Sequence, residues 1–533
     1  MTLQLSVKML LGSALIVLLL GSTVHSYNIL FMNPTPSYSH QLPAIALTEA
    51  LIKKGHHVFL VSTNGAPGLV KNYTYVDLSF SYKLVAAEET DQNNTLDVKG
   101  QLTKWDLLEL IKGYSDTVLG NQFRSKQFEE FHNRVKDENI KFDVAILESF
   151  FLPHECAMTR LLNGFRVPII SFATFTHDLF VEPGLGTLPH RSFLPMESYT
   201  DRMNVWQRIE NWFSATYFDY VLNREIESSA RDYFREAHDN EALVDGCWSN
   251  VSLALIASNS LYFYPRLRGP NVIELGPMHL KPPAKLPQNL QDWLDGAEKG
   301  VIYFSLGSNM KSKHLLVPVR ENFLKFFEEL PAGYRVLWKW ELDGKIPGQS
   351  DNVLAQKWMP QQSILAHPKV KVFITQGGLQ SFQETVHFGV PTVVIPWYGD
   401  QETSAVKMMD VRIGTRIRPP ELYSYEKVKS ALETVLFDES YMKNMKRISA
   451  ISRDFTSKSL DEAVFWVEHV TKFGGAPHLR PSTADATYLE YFCMDILTVI
   501  LVIILAVLFL LRLVFRFLVS IIFSSPSVKI KKS

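Results

Sequence analysis

The sequence has 533 residues, and its 54 lysines and arginines nearly balance its 55 aspartates and glutamates. This balance excludes the strongly basic surface with which many proteins bind nucleic acid. The chain is too long for a single hydrophobic core, so two or more domains are predicted. With only three cysteines, it is not a disulfide-rich scaffold.

The N-terminus predicts a secretory signal peptide over residues 1–26. Lys8 precedes an apolar run over 9–20, and small or polar residues then suit cleavage before Tyr27. The alternative is a permanent N-terminal anchor, but the run is shorter than the roughly 20 residues that a span needs. We therefore exclude residues 1–26 from the fold.

The segment that follows predicts a doubly wound α/β domain. A proline-rich loop over 33–38 leads into a helix over 39–53. Short apolar strands are predicted at 28–32, 58–61, 143–147 and 168–171. Such alternation is typical of a parallel sheet. The first loop lacks Gly-x-Gly-x-x-Gly, so a dinucleotide is not expected here.

Residues 178–264 are predicted to be mainly helical, with an aromatic-rich stretch over 206–220. Two interpretations of these aromatic side chains stay open, a hydrophobic core and an acceptor pocket. The proline-rich segment 281–287 predicts a stiff linker between an N-terminal domain over 27–280 and a C-terminal domain over 288–480.

The C-terminal domain again alternates strands and helices, with strands predicted at 301–305, 334–338, 353–355, 370–375 and 392–395. Two α/β halves of this kind leave a cleft between them. Ligands of such folds bind at the carboxyl ends of the strands.

The far end of the chain predicts a membrane anchor. Residues 496–511 carry no charge, and the transmembrane helix is predicted over 493–511. The following segment 512–533 contains basic but no acidic residues, as in a cytoplasmic tail, which would place the preceding chain in the lumen. Lys529 and Lys531 suit a retrieval signal of the endoplasmic reticulum; a basic stop at the membrane surface is the alternative.

A luminal location has two further consequences. The sequons at Asn72, Asn93 and Asn250 would face the glycosylating side of the membrane. Cys156 and Cys247 could form at most one disulfide within the luminal part.

The stretch 373–401 predicts a diphosphate site. A strand leads into the Gly377-Gly378 turn and a helix that begins near Leu379. Glycines let backbone amides approach an anion closely, and a helix N-terminus adds partial positive charge.

The same stretch resembles the signature of the UDP-glycosyltransferase family. Further matches are Ser305-Leu-Gly-Ser308, Leu275-Gly-Pro-Met-His279 and Lys357-Trp-Met-Pro-Gln361. The Gln-Gly-Gly pattern and the anchor look like the insect members. The resemblance implies an α/β fold of two Rossmann-like, doubly wound domains facing a cleft (GT-B type) and a C-terminal transmembrane helix. It implies no cofactor other than a UDP-sugar as co-substrate.

The resemblance also implies roles for individual residues. Trp358 is expected to stack on the uracil, Gln361 to hydrogen-bond it, and Glu384 to accept the ribose hydroxyls. The residues expected around the diphosphate and the transferred sugar are Ser308, Gln376, Gly377, Gly378, Gln380, Ser381, Asp400 and Gln401. Gln376 replaces a histidine of vertebrate and plant relatives, and Gln380 replaces a shorter asparagine, so donor preference does not transfer directly.

The resemblance implies a catalytic pair across the cleft. His40 follows the first strand and is expected to act as general base; histidine suits this task near neutral pH. The family orients its base with an aspartate, and the matching residue here is Glu148, whose side chain is one methylene longer. The chain contains no Asp-x-Asp motif, so no metal site and no obligatory metal are expected.

The expected activity is inverting transfer of a hexose, with glucose favoured, to a hydroxyl of a small lipophilic acceptor, as in detoxification. The stretch 206–220 is the hypothesised acceptor pocket. Glucuronate from UDP-glucuronate stays open as the alternative donor. Two other classes also stay open: a membrane-anchored UDP-sugar binder without turnover, and an interaction protein with a relic site.

Overall fold

The structure is a computed structural model that describes residues 26–88, 103–164, 166–176, 178, 180–188, 190–196 and 198–523. Nearly all of the predicted signal peptide, the sequon at Asn93 and the last ten residues of the predicted tail lie outside the described residues.

The first sheet has seven parallel strands in the order β3-β2-β1-β4-β5-β6-β7. In chain order they are β1 (Asn28–Asn33), β2 (His57–Ser62), β3 (Tyr73–Asp77), β4 (Val144–Glu148), β5 (Ile169–Ala173), β6 (Val251–Ile256) and β7 (Val272–Glu274). Four of these strands were predicted. The apolar run of β6 lies within the region predicted to be helical, and β7 has only three residues.

The helices of this half are α1 (Tyr38–Lys53), α2 (Ser81–Glu88), α3 (Lys104–Gly113), α4 (Gly120–Phe123), α5 (Lys126–Asp137), α6 (Leu152–Asn163) and α7 (Val205–His238). Asn204 caps α7 by accepting hydrogen bonds from the amides of Trp206 and Gln207.

The second sheet has six parallel strands in the order β10-β9-β8-β11-β12-β13. They are β8 (Gly300–Phe304), β9 (Tyr334–Lys339), β10 (Val353–Gln356), β11 (Val370–Thr375), β12 (Thr392–Val394) and β13 (Gly414–Arg416). The three-residue β13, at one edge of the sheet, was not predicted.

The helices of the second half are α8 (Gln288–Asp295), α9 (Val317–Glu328), α10 (Gln361–Leu365), α11 (Leu379–Phe388), α12 (Gln401–Asp410), α13 (Tyr425–Phe437), α14 (Glu439–Phe455) and α15 (Ser459–Phe473). Strands and helices alternate in both halves, which confirms the predicted α/β class with two doubly wound sheets.

The two halves are tied together by α15. Its buried residues Ala463, Val464 and Val467 pack in the same hydrophobic cluster as Leu47 of α1 and Phe31 of β1. The last helix of the proposed C-terminal domain (288–480) therefore packs on the first sheet. A domain boundary drawn by chain order alone assigns α15 to the second half, although its buried side chains belong to the core of the first half.

Cys156 of α6 and Cys247 form a disulfide, and both are buried in the core of the first half. The bridge closes a sequence separation of 91 residues that contains the whole of α7. A buried structural disulfide suits an oxidising compartment.

The C-terminal segment is a separate unit that contains α16 (Tyr488–Tyr491) and α17 (Met494–Phe523). The 30-residue α17 is long and apolar enough to cross a bilayer. It extends past 511, where the span was predicted to end, and so includes Arg512 and Arg516. The prediction places these two charges at the start of the tail, whereas mainly apolar residues on either side of Arg516 continue the helix.

Candidate active site

The site residues of the first half lie where neighbouring parallel strands end. β1 leads into a loop and then α1, whose first turn carries His40; β4 ends on Glu148; and β5 is followed directly by Thr174. Because β1, β4 and β5 are adjacent in the sheet, these three side chains converge.

The imidazole of His40 contacts two side chains through one nitrogen. Its Nδ1 lies 3.0 Å from Thr174 Oγ1 and 3.4 Å from Glu148 Oε1. The imidazole is 18% exposed, whereas Glu148 is buried. Since Nδ1 faces these partners, Nε2 is the ring nitrogen that can take a proton from an acceptor.

Glu148 is held in place by three hydrogen bonds. Its Oε2 accepts hydrogen bonds from the backbone amide of Thr35 (3.2 Å) and from Thr35 Oγ1 (2.7 Å). Behind Glu148, Glu155 Oε2 accepts a hydrogen bond from the backbone amide of Glu148 at 2.8 Å. Burial, and then the charge of Glu148, raise the pKa of Glu155 well above its ordinary value. The raised pKa favours the neutral form of the Glu155 carboxyl.

The second half contributes two glycine turns that need a positive φ. Gly307 has φ +82°, and a Cβ there would lie 2.8 Å from Gln376 Nε2. Gly377 has φ +87°, and a Cβ there would lie 2.4 Å from a methyl group of Val394. Both turns require glycine, which leaves their backbone open to a close ligand. Gly378 caps α11 directly after the second turn, and Ser308 follows the first.

One residue links the base to the helix that follows the Gly377 turn. Gln380 Nε2 donates to the backbone oxygen of Thr174 at 3.1 Å, while the hydroxyl of Thr174 contacts His40. His40 and the first turn of α11 are thus separated by two hydrogen bonds through Thr174. The side chain of an asparagine at 380 is one methylene shorter, so its amide would lie farther from the backbone oxygen of Thr174.

Asp400 and Gln401 are already engaged by the protein. Asp400 Oδ2 accepts the backbone amide of Leu379 at 3.0 Å, so it caps α11. Burial raises the pKa of Asp400, and the Leu379 amide and the nearby His40 partly oppose this shift. Gln401 Oε1 accepts the amides of Trp397 and Tyr398, and its Nε2 lies 3.4 Å from Gln376 Oε1.

A second cluster of polar side chains surrounds Glu384 on α11. Gln361 Nε2 donates to Glu384 Oε2 at 2.7 Å and to Ser381 Oγ at 3.1 Å. Gln362 Nε2 donates to Glu384 Oε1 at 3.0 Å, and His279 Nε2 lies 3.5 Å from the same oxygen. Sequence reasoning assigned no role to Gln362 or His279, although both lie in or next to the motifs that carried the resemblance.

Trp358 is 61% exposed and therefore offers its ring to a ligand. Tyr38 packs against it edge-on, with ring centroids 5.7 Å apart. Lys339, at the end of β9, is buried; its Nζ lies 5.6 Å from the centre of the Trp358 ring and donates to the backbone oxygen of Gly307 at 2.6 Å. Sequence reasoning missed this lysine because nothing in its own strand distinguishes it.

Aromatic side chains surround His40 on the first half. The ring of Phe175 packs edge-on against the imidazole at 5.0 Å, and Phe150 lies between Phe175 and Phe180, at 5.6 and 5.4 Å. These residues, which were not predicted, form an apolar wall beside the base. The side chains over 206–220 that were hypothesised as this pocket are instead mostly exposed on α7.

Comparison with known proteins agrees with this geometry. The family model described as UDP-glucoronosyl and UDP-glucosyl transferase matches residues 29–527. UDP-glucosyltransferase 2 of Dactylopius coccus is 29% identical over 526 residues, covering 96% of this chain and 98% of the relative. UDP-glucuronosyltransferase 2B18 of Macaca fascicularis is 27% identical over 500 residues, covering 89% of this chain and 90% of the relative.

Solved structures agree in fold. The glycotransferase of kitacinnamycin has a TM-score of 0.54 at 17% identity, covering 84% of this chain and 99% of that chain. A UDP-glucosyltransferase from Polygonum tinctorium has a TM-score of 0.54 at 15% identity, covering 85% and 100%. These likenesses confirm the GT-B arrangement. Together with the family match over nearly the whole chain, they show that this protein is a glycosyltransferase of the UDP-glycosyltransferase family.

Proposed function

We propose that the enzyme transfers glucose from UDP-glucose, with inversion and without a metal ion, to a hydroxyl of a small lipophilic acceptor. The observation that carries this proposal is the position of Thr174, which contacts both His40 and Gln380. It brings a base of the first half within side-chain reach of the helix N-terminus where a diphosphate would bind.

The reaction follows from this arrangement. His40 Nε2 removes the proton of the acceptor hydroxyl as that oxygen attacks the anomeric carbon, and the bond to the UDP oxygen breaks. Glu148 compensates the charge of the imidazolium. The amides at Gly377 and Gly378, with the N-terminus of α11, stabilise the negative charge of departing UDP. An attack from the face opposite to UDP inverts the anomeric centre.

The remaining donor residues have roles that fit their positions. Trp358 stacks on the uracil, and Gln361 hydrogen-bonds the base. Glu384 accepts hydrogen bonds from the ribose hydroxyls. These hydroxyls replace the side-chain amides of Gln361 and Gln362, which donate to Glu384 in the structure. The diphosphate lies among the residues Ser308, Gln376, Gly377, Gly378, Gln380 and Ser381.

The choice of glucose over glucuronate rests on Asp400, Gln401 and Gln376. Their described hydrogen bonds are to amides, and none involves a lysine or arginine. The carboxylate of glucuronate would therefore meet the carboxylate of Asp400, and none of these three residues supplies a cation. Hydroxyl groups of a neutral hexose suit the same carboxylate and amide groups.

The lipophilic acceptor is supported by the wall of Phe150, Phe175 and Phe180. An aromatic wall beside the base favours flat apolar molecules, since burial of their surface contributes about 25 cal/mol per Å².

The test uses membranes from cells that express the full chain. UDP-glucose, UDP-glucuronate and UDP-galactose are each offered with a mixed panel of phenolic and aliphatic alcohols, and products are identified by mass spectrometry. We expect glucosides, undiminished by EDTA. Exclusive formation of glucuronides would overturn the donor assignment. Loss of activity with EDTA and its recovery with Mn²⁺ would overturn metal independence. UDP binding without any product would indicate a non-catalytic binder.

We also propose that the folded part faces the lumen of the endoplasmic reticulum, with α17 as a single span. The Cys156–Cys247 disulfide supports an oxidising side of the membrane. Asn250, directly before β6, is exposed and accessible to glycosylation, and Asn72 is partly exposed. Protection of the folded part from added protease in sealed microsomes tests this topology.

Lys339 provides a prediction about donor binding. Gln376 cannot carry the positive charge of the histidine that it replaces, whereas Lys339 places a buried ammonium, which also pairs with Glu341 Oε1 at 3.3 Å, beside the Gly307 turn. A hydrogen bond to a charged group contributes about 1.5–3 kcal/mol, so Lys339→Met is expected to weaken UDP binding roughly 10- to 100-fold. Isothermal titration of the detergent-solubilised full chain with UDP measures this.

Two controls accompany Lys339→Met. Lys339→Arg keeps the charge and should bind UDP within a few-fold of the unmodified protein. Lys345→Met removes an exposed lysine paired with Asp351 and should bind UDP normally. If Lys339→Met bound UDP as tightly as Lys345→Met, the buried ammonium would have no part in donor binding.

A further inference from the structure

The long helix α7 exposes a stripe of aromatic and apolar side chains along its outer face. The stripe consists of Trp206, Ile209, Phe213, Tyr217 and Tyr220, which recur at a spacing of three or four residues over four turns. Trp206 is 76% exposed and Phe213 is 64% exposed. Trp212, and Trp105 and Leu110 of α3, widen the exposed surface.

The stripe is not needed to hold α7 on the protein. The opposite face of the helix already buries Ala215, Phe218, Leu222 and Ile226. Trp105 packs edge-on against Tyr217, so α3 and α7 form one continuous apolar surface. An exposed apolar patch of this extent marks a contact with another apolar phase or partner.

The composition of the stripe indicates what this surface contacts. Three of its five members are Trp or Tyr, side chains that combine an apolar body with a polar tip. Such residues are enriched where a protein meets the boundary between lipid headgroups and acyl chains. An interfacial helix of this kind lies in the membrane plane with its aromatic face about 5–10 Å deep.

The chain itself keeps the folded unit near a bilayer. Only 13 residues, 481–493, separate Arg480, the end of the first folded unit, from Met494, the start of α17. Fully extended, they reach at most about 45 Å. This tether keeps the folded unit close to the membrane and favours binding of even a weakly lipophilic face.

We propose that the stripe of α7 inserts into the interfacial layer of the bilayer in which α17 anchors the chain. The folded unit then contacts the membrane at two places, the span and this helix. The inference does not depend on which sugar or acceptor the enzyme uses. If the proposed function also holds, lipophilic acceptors dissolved in the bilayer enter beside the inner face of α7, where Phe218 packs in one cluster with Phe150 and Phe180.

The depth of the stripe can be measured on the full chain in phosphatidylcholine nanodiscs. In a Cys493→Ser background, a nitroxide is attached at Phe213→Cys in one protein and at Glu236→Cys in another. Glu236 lies on the same helix, is 74% exposed and points about 140° away from Phe213, which makes it a matched control. Cys156 and Cys247 are buried in their disulfide and do not take the label.

We expect the label at 213 to favour collision with oxygen over a water-soluble nickel chelate, with a ratio about tenfold above that at 236, as for a site below the headgroups. Equal nickel accessibility at both positions would overturn the proposal. Spin–spin broadening at 213 that persists after transfer to detergent would show a second copy of the chain as the occupant, and would overturn it too.

A conservative variant covers the case in which labelled proteins fold poorly. In nanodiscs with brominated lipid, the chain with Trp206→Phe should lose part of the quenchable tryptophan fluorescence, while Trp293→Phe should not. Trp293 serves as the control because it is partly buried in the second half, where its Nε1 donates to Val336. Identical quenching in both variants would contradict insertion.

Discussion

Replacing His40 by alanine is expected to lower kcat by about 10²- to 10⁴-fold, the range that a general base contributes, with the affinity for UDP unchanged. The imidazole contacts Thr174 and Glu148, both of the first half, whereas Glu384, Gln361 and Trp358 belong to the second. Loss of the ring therefore removes the base but leaves the donor residues in place. Initial rates with a saturating acceptor and titration with UDP measure the two effects separately.

His190→Ala is the matched control, because this exposed histidine lies outside the site and contacts Phe193. It should retain nearly full turnover. Near-normal kcat for His40→Ala in the same assay would falsify the assignment of the base. A loss of UDP affinity in parallel with kcat would indicate that the substitution disturbs the cleft rather than the proton transfer.

Much of this site was predictable because the positions follow from topology. Parallel strands that are neighbours in a sheet place their carboxyl ends at one edge. The resemblance implied the pair of His40 and Glu148, and their places at the ends of adjacent strands bring them together across 108 residues. The turn at Gly377 and the start of α11 were predictable from local sequence, since a strand, two glycines and a helix leave few alternatives.

The supporting residues were not predictable, because their roles depend on contacts between distant segments. Thr174 is an ordinary threonine after a strand, and only the folded chain brings its hydroxyl to His40 and its carbonyl to Gln380. Glu155 resembles a surface residue of a helix, yet it is fully buried behind Glu148. Lys339 is likewise identified only by its buried position beside the Gly307 turn.

Helix α7 shows a different limit of sequence patterns. Aromatic residues at helical spacing predict an apolar face, but they do not say against what that face packs. The helix has two such faces, and the core takes the one with Phe218 and Leu222. Most aromatic side chains over 206–220, the hypothesised acceptor pocket, are therefore exposed, whereas Phe218 packs in one cluster with Phe150 and Phe180. The wall directly beside His40 comes from Phe150, Phe175 and Phe180.

Removing the disulfide is expected to have the largest effect on stability. The bridge between Cys156 and Cys247 closes a sequence separation of 91 residues. In the chain-entropy model such a loop stabilises the folded state by about 4–5 kcal/mol. The double variant Cys156→Ala, Cys247→Ala should therefore unfold at a clearly lower temperature, measured by thermal denaturation of the full chain in nanodiscs.

Cys493→Ala, which removes the exposed free cysteine, is the control and should leave the unfolding temperature unchanged. Dithiothreitol should bring the unmodified protein to the temperature of the double variant without affecting that variant. Equal unfolding temperatures for all proteins, with and without reductant, would show that the bridge contributes nothing.

The position of the bridge also predicts the order in which activities are lost on heating. It ties α6, which carries Glu155 behind Glu148, to the segment that follows α7, and both Cys side chains lie in the core of the first half. The core beneath Glu384 and Gly377 is a different one, formed mainly by the second half with Tyr262 of the first half. After reduction, glycosyl transfer should therefore fail at a lower temperature than UDP binding, since the base and its partner depend on the weakened half.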